Sequence, residues 1–289
     1  MTQNTVFVGE PAAAQKNRGR KQNRYFKTEA KRTLFSKDNF HNSVISHLVC
    51  GLLSGGLLYL SFTLPQILTD ALTGTLSERA LYMLISTVNV VICVVSAFLL
   101  FSFFFGVYTM HCMMREQDGS APGTPRFSEL SYMLTPVSGG RFRSTALYFL
   151  ILALQLCAVV IPTALICDGA GYVLHNAPAL FAVRAVLICA CAFLCIFFVS
   201  LLLPLPYVLA RGESTGALAA YGQSASAAFN GVFRFVGLLI SFIPLLLLSA
   251  LSFGVLYFAY TMPYMTLSAA KLGEYLYNTA NTERSTINE

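Results

Sequence analysis

The chain has 289 residues, of which 56% are hydrophobic and only 11% carry a charge. Soluble domains usually contain about 25% charged residues, and here the deficit is concentrated in long uncharged blocks at residues 39–69, 80–114, 144–167, 185–210 and 235–270. About 20 apolar residues in a helix cover the ~30 Å hydrocarbon core of a bilayer. The composition therefore excludes an ordinary soluble domain and predicts an integral membrane protein.

The predicted fold is all-α, a polytopic transmembrane helical bundle with six spans. The spans are expected at about residues 44–68, 80–114, 145–166, 178–209, 229–248 and 251–275. The last two result from dividing one long apolar block at the segment Ser249–Gly254, and the alternative without this division is five spans. We expect a disordered basic tail over 1–23, a membrane-embedded helical domain over 24–278 and a polar tail over 279–289.

Basic residues are distributed unevenly between the predicted loops. Nine of them precede residue 38 and four arginines lie between 115 and 143, whereas the loops on the other side contain only Arg79. Loops rich in Lys and Arg stay in the cytoplasm. The pattern predicts a multi-pass protein of a bacterial cytoplasmic membrane with a cytoplasmic N-terminus, and under six spans a cytoplasmic C-terminus. Because this rule explains the basic tail, no nucleic-acid partner is expected.

Three segments have the pattern of short amphipathic helices lying at the membrane interface. Between Arg24 and Phe35, Phe26, Ala30 and Leu34 fall on one face, with lysine and arginine elsewhere. Such basic amphipathic helices suit an anionic membrane surface. The other two segments are 127–134 and 211–229. In the latter, one predicted apolar face consists of Leu218, Tyr221, Ala225 and Phe229.

A few polar or small residues within or near the spans are candidates for ligand contact or helix packing. Asn89, Gln155 and Arg234 are the strongly polar ones, and Asn or Gln in a span is more often an interhelical hydrogen-bond partner than a ligand contact. Arg184 is a candidate ligand-binding cation, but its position favours snorkelling to the interface. Gly51 and Gly55 have the i, i+4 spacing of a helix-packing face.

Residue patterns that carry chemistry are scarce. Every acidic residue falls in a predicted loop, tail or span end, and the four histidines and eight cysteines lack the spacings of metal sites. No phosphate-binding loop or nucleophile elbow is present. The sequence therefore predicts no catalytic, cofactor-binding or metal-binding residue, and a membrane-embedded enzyme is the third hypothesis.

Two parts of the chain together resemble a known family. They are Tyr25–Leu34, a basic helix leading into a Gly-containing span, and a C-terminal part with Pro206–Leu209, the 217–226 helix, Leu239–Ile243 and Pro263–Tyr264. This order resembles the bacterial integral-membrane family catalogued as domain of unknown function 975. The resemblance implies a polytopic membrane architecture and supplies no catalytic or ligand residues.

These observations lead to two main functional hypotheses. The leading one is a non-enzymatic membrane protein that organises lipid or partner proteins, and its expected partners are the lipid bilayer together with other membrane proteins or a second copy of the chain. The alternative is a small-solute transporter or channel component, with the proline-containing spans lining a path. A continuous polar cavity around Asn89, Gln155 or Arg184 would favour the transporter.

Overall fold

A computed structural model describes residues 12–36, 39–73, 77–114, 134, 136, 141–173, 177–211, 216–252 and 254–287. Side chains at 12–21, 171–173, 177, 211 and 283–287 are outside this description. Of the described residues, 92% are helical, and no strand occurs among them. The predicted all-α fold class is confirmed.

Ten α-helices are found in the described ranges. They are α1 (Ala12–Leu34), α2 (Asn39–Leu72), α3 (Glu78–Met113), α4 (Phe142–Val173), α5 (Ala177–Ser200), α6 (Leu205–Arg211), α7 (Ala217–Phe229), α8 (Val232–Ile240), α9 (Ile243–Leu251) and α10 (Met262–Ile287). A π-helical turn, Tyr257–Thr261, leads directly into α10.

Among the residues that the structure describes, five helical segments are long and apolar enough to cross a membrane. They are Asn39–Leu72, Glu78–Met113, Phe142–Ala170, Pro178–Ala210 and Val232–Leu251. These coincide with the first five of the six predicted spans, in agreement with a multi-pass architecture. The preferred sixth span at 251–275 is instead a turn, the π-helical turn and the first half of α10, where Lys271 and Glu274 interrupt the apolar sequence.

The first four of these segments form two long hairpins, α2–α3 and α4–α5. In the α2–α3 hairpin the Ser61 and Ser96 hydroxyls lie 3.1 Å apart. Ser77 caps α3, with its side chain accepting a hydrogen bond from the Ala80 N–H. In the α4–α5 hairpin the Arg184 Nε donates to the Cys167 carbonyl at 3.2 Å. Beyond their shared base, the hairpins expose large apolar side chains, as expected for surfaces that contact lipid.

The remaining helices pack around the base of the two hairpins, a region that we call the junction. Here the start of α2, the end of α3, the start of α4 and the end of α5 meet α1, α6, α7, α8 and α10. The largest buried side chains gather in this region, including Phe26, Leu34, Met110, Tyr148, Leu205, Leu238, Leu267 and Leu272. The junction is therefore the core of the molecule.

α1 is longer than predicted, and it docks on protein. It begins at Ala12, so residues 12–23, predicted to be disordered, are helical. Alanine, glutamine, lysine and arginine dominate this part, and all four favour helix. Phe26, Ala30 and Leu34 are at most 2% exposed because α10 covers the predicted apolar face. At the other end of the chain, α10 continues to Ile287 and includes most of the predicted polar tail.

The other two predicted amphipathic segments have different outcomes. In α7 the residues of the predicted apolar face divide between two surroundings, since Leu218 and Phe229 are 67% and 64% exposed while Tyr221 is buried. The buried face of α7 consists mainly of small residues and contains Ala220, Tyr221, Ser224, Ala227 and Ala228. Small side chains let α7 approach α4, α6 and α10 closely. Residues 127–133 of the remaining segment lie outside the described residues.

The fifth apolar segment turns back before it reaches the far end of α2. A Cβ on Gly51 would lie 2.9 Å from the Phe258 ring, so the chain after α9 passes α2 at Gly51. Residues 52–72 extend α2 by about 30 Å beyond this contact, whereas the turn at Ser252–Gly254 is only a few residues from Phe258. The Ser249 and Thr261 hydroxyls, 2.6 Å apart, close this short hairpin.

The short hairpin predicts that α1 and α10 lie on the same side of the membrane. We expect cysteines introduced at Thr28 and at Thr282 to react with a membrane-impermeant maleimide from the same side of sealed vesicles. A cysteine at Thr73, in the α2–α3 turn, should react only from the opposite side. Labelling of positions 28 and 282 from opposite sides would contradict the hairpin and require a full fifth crossing.

Candidate functional site

Two histidines that are far apart in the sequence meet in the junction. His47 on α2 and His111 on α3 are 2% and 1% exposed, and their ring centroids lie 4.9 Å apart. Each Nδ1 faces a backbone carbonyl four residues earlier, Ser43 O at 2.8 Å and Val107 O at 2.7 Å. Only a protonated Nδ1 can make such a bond, so each neutral ring presents its Nε2 as an acceptor.

Hydroxyl groups occupy both Nε2 positions of this pair. The Ser43 hydroxyl lies 2.6 Å from the His111 Nε2, and the Thr266 hydroxyl of α10 lies 3.2 Å from the His47 Nε2. Three ring nitrogens therefore have hydrogen-bond partners, and the fourth, the His47 Nε2, faces the Thr266 hydroxyl, which donates to the Met262 carbonyl at 2.8 Å. These contacts favour a structural role in joining α2, α3 and α10. No group of three or more His, Cys, Asp or Glu side chains suited to a metal ion occurs among the described residues.

A second polar group surrounds Lys271 on α10. Its ammonium lies 3.3 Å from a carboxylate oxygen of Glu274 and 3.8 Å from one of Glu29 on α1, and its side chain is 16% exposed. Nearby, the Tyr207 hydroxyl donates to the Ala270 carbonyl at 2.9 Å. Because ion pairs with water access contribute little to stability, we interpret this group chiefly as an orienting contact between α1 and α10.

A polar cavity of about 380 Å³ lies beside the first turn of α4. Arg141, Ser144, Thr145 and Tyr148 line it from α4 and the residue before it, and Thr109 lines it from α3. Its other walls are formed by Phe105, Met113, Pro136, Pro206, Leu209 and Ala210. Arg141 immediately precedes an apolar membrane-spanning segment, which places this cavity at the polar end of that segment.

An apolar cavity of about 330 Å³ shares one wall with the polar cavity. Phe105 lines both, and its ring contacts that of Tyr148 with centroids 6.3 Å apart. The remaining lining comes from α3, α4, the α5–α6 segment, α8 and α10, and is almost entirely hydrocarbon; it includes Phe101, Phe104, Leu152, Leu203, Leu239 and Met265. The aromatic pair thus separates a polar compartment from an apolar one.

The polar residues singled out from the sequence do not converge. Gln155 exchanges hydrogen bonds with the Tyr221 hydroxyl at 2.8 and 3.0 Å. Asn89 lines an open groove between α2 and α3, and neither Gln155 nor Arg184 contributes to that groove. Arg184 joins α5 to α4 through the Cys167 carbonyl. The guanidinium of Arg234 lies over the Tyr275 ring, 5.3 Å from its centroid.

The two glycines of the predicted packing face have different surroundings. Gly51 faces the Phe258 ring so closely that a methyl group there would collide with it. Gly55 has open space around its Cβ position and is exposed. Only Gly51 therefore lies at a close helix contact in this structure.

Sequence reasoning missed the two cavities and the histidine pair. Arg141 falls in a predicted loop, where it contributes only to the count of basic residues. Thr145 and Tyr148 fall in a predicted apolar span, where two hydroxyl groups do not attract notice. One signal was available: Arg141, Ser144, Thr145 and Tyr148 follow i, i+3, i+4, i+7 spacing, which places them on one helix face.

Comparison with protein-family models, curated proteins and solved structures finds no match for the chain.

Proposed function

We propose that this chain is a non-enzymatic, multi-pass protein of a bacterial cytoplasmic membrane that gathers anionic lipid at the surface where its junction lies. The observation that carries the proposal is the docking of α1. Its apolar face is buried against α10, while Arg24 and Lys31 are exposed on its outer surface. A basic helix held rigidly beside membrane-spanning segments attracts anionic headgroups by about 1 kcal/mol per basic residue.

Aromatic side chains support a position at the membrane surface. Tyr25 and Phe35 are 61% and 52% exposed at the two ends of the docked part of α1, and such residues favour the headgroup region. Lys27 is directed inward, where its ammonium donates to the Ser241 carbonyl at 2.8 Å and lies 4.0 Å from the centroid of the Phe242 ring. Burial lowers the pKa of Lys27, so its role here is to fix α1 on the junction.

The distribution of charge supports the orientation with the junction in the cytoplasm. α1 and Arg141, Arg143 and Arg234 belong to the junction, whereas Arg79 and Arg184 lie toward the opposite ends of the hairpins. The separation of Asn89, Gln155 and Arg184 favours lipid organisation over solute transport. The resemblance to the family catalogued as domain of unknown function 975 stays a prediction.

Neutralising α1 is expected to weaken the local enrichment of anionic lipid. The chain contains no tryptophan, so a Tyr25→Trp variant gives a single fluorescent reporter on α1. In phosphatidylcholine vesicles containing brominated phosphatidylglycerol, this reporter should be quenched more strongly than the bulk lipid composition predicts. The added changes Arg24→Gln and Lys31→Gln should reduce the preference by about fivefold for each charge, and high salt should have a similar effect.

The matched control is Arg79→Gln, which removes an exposed charge at the other end of the α2–α3 hairpin and should leave quenching of the Tyr25→Trp reporter unchanged. The proposal would be contradicted if brominated phosphatidylglycerol still quenched the reporter preferentially after neutralisation of α1 and in high salt. Protein-dependent efflux of small solutes from the same vesicles would favour the transporter instead.

A further inference from the structure

Tyr148 carries a buried hydroxyl that lacks a hydrogen-bond partner. The residue is 1% exposed, and its Oη makes no hydrogen bond to any described residue. Leaving a buried hydroxyl unpaired costs about 1–3 kcal/mol, so folded proteins rarely do so without a reason. Because Tyr148 lines the polar cavity, an acceptor atom bound there would supply the missing partner.

The other polar groups of this cavity favour a negatively charged acceptor. Arg141 lines the same cavity as Tyr148 and forms no ion pair with a carboxylate among the residues that the structure describes. The Ser144 hydroxyl belongs to the first turn of α4, where the helix dipole also attracts anions. The Thr145 hydroxyl donates instead to the Arg141 carbonyl at 3.1 Å. Arginine, hydroxyls and a helix N-terminus together match the oxygen atoms of a phosphate group.

The adjoining apolar cavity indicates that the ligand is an amphiphile. It shares Phe105 with the polar cavity, and its lining is almost free of polar atoms. Its volume, like that of the polar cavity, lies within the 300–1,000 Å³ typical of ligand sites. A free phosphate ion would leave this second compartment unused, whereas a lipid has the charged and apolar parts that the two compartments require.

From these contacts we infer a discrete site for one phospholipid with an anionic headgroup. Its phosphate binds Arg141 and the hydroxyls of Ser144 and Tyr148, and one acyl chain passes Phe105 into the apolar cavity. This inference rests on the proposed function and deepens it. α1 concentrates anionic lipid at the surface, and the site holds one molecule of it between α3, α4 and α6.

Brominated lipids can report occupancy of this site. Phe101 lines the apolar cavity, so Phe101→Trp places a reporter there, while Phe181, 75% exposed on α5, provides a Phe181→Trp reporter of bulk lipid. In phosphatidylcholine vesicles, brominated phosphatidylglycerol should half-quench the cavity reporter at an about tenfold lower mole fraction than the bulk reporter. Brominated phosphatidylcholine should not distinguish them. Phe104→Trp is a second cavity reporter on the same helix.

Two arginines give a matched pair of variants. Arg141→Ala should abolish the difference between the cavity and bulk reporters, and Arg141→Lys should restore part of it. Arg143→Ala should preserve the difference, because Arg143 is exposed like Arg141 but does not line the cavity. Tyr148→Phe should reduce the difference. The site would be overturned if the cavity reporter lost its preference for phosphatidylglycerol in Arg143→Ala but kept it in Arg141→Ala. It would also be overturned if Tyr148→Phe left that preference unchanged and raised the melting temperature of the protein.

Further arms of the experiment separate the lipid from free phosphate and this site from α1. If excess inorganic phosphate removes the preference of the cavity reporter, the site binds phosphate ions and the lipid assignment is overturned. If the Phe101→Trp reporter shows no preference while the Tyr25→Trp reporter does, the discrete site fails and the proposed function stands. If the Phe101→Trp reporter shows the preference for phosphatidylglycerol and the Tyr25→Trp reporter does not, the discrete site stands and the proposed surface function is contradicted.

Discussion

Replacing Gly273 with alanine is expected to lower the free energy of unfolding by about 1–3 kcal/mol, the usual cost of overpacking a core. Gly273 lies on α10 against the turn that joins α5 to α6. A Cβ there would lie 2.6 Å from the Leu203 carbonyl oxygen and 3.0 Å from the Tyr108 hydroxyl oxygen. Because the nearest atom belongs to the backbone, α10 would have to move, which would weaken the bond that Tyr108 donates to that carbonyl at 2.8 Å.

Thermal unfolding in a fixed detergent, followed by circular dichroism, measures this effect. The matched control is Gly222→Ala on α7, because no atom lies within 4 Å of a Cβ at that position. Alanine stabilises a helix interior by about 0.5–1 kcal/mol relative to glycine, so the control should unfold at a higher temperature. Equal stabilisation by both substitutions would show that α10 does not contact the α5–α6 turn in this way.

Replacing His111 with alanine is expected to destabilise the protein by about 2–4 kcal/mol, since it leaves a cavity and an unpaired Ser43 hydroxyl in the junction. The matched control is His41→Ala. His41 is exposed near the start of α2, and such surface changes usually stay within about 0.5 kcal/mol. The same unfolding measurement compares the two variants.

A double-mutant cycle tests whether the hydrogen bond between Ser43 and His111 contributes to this loss. If the 2.6 Å contact joins the two side chains, Ser43→Ala in the His111→Ala background should cost less than it does alone, because its partner has already gone. Strict additivity would mean that the two side chains are not coupled and that the loss in His111→Ala comes from packing alone.

Patterns local in the sequence predicted the helices well. Uncharged blocks located the five apolar segments because hydropathy over about 20 residues depends only on neighbours in the chain. The spacing of Phe26, Ala30 and Leu34 correctly identified the buried face of α1. The same reasoning did not reveal which face of α7 packs on protein, because that face consists mainly of small residues. In a membrane, Leu218 and Phe229 can face lipid, and small residues pack between helices.

Features that join distant parts of the chain could not be predicted in this way. His47 and His111 are separated by 64 residues, and no spacing rule relates positions on two helices before their pairing is known. The short hairpin after α9 depends on the contact between Phe258 and Gly51. The length of the apolar segment alone does not reveal that contact. The site at Arg141 and Tyr148 likewise requires α3 and α6 to close its walls.

The docking of α1 on α10 has a consequence for how the protein is made. α1 ends at Leu34, and α10, the helix that covers its apolar face, begins only at Met262. At about 5–20 residues per second, a ribosome needs roughly 10–45 s to synthesise the chain between them. During that interval α10 is not yet available to cover Phe26, Ala30 and Leu34, and when α1 has just been made the nearest apolar phase is the bilayer beside the emerging α2. α1 therefore has two successive partners, the membrane surface during translation and α10 once the last helix has left the ribosome.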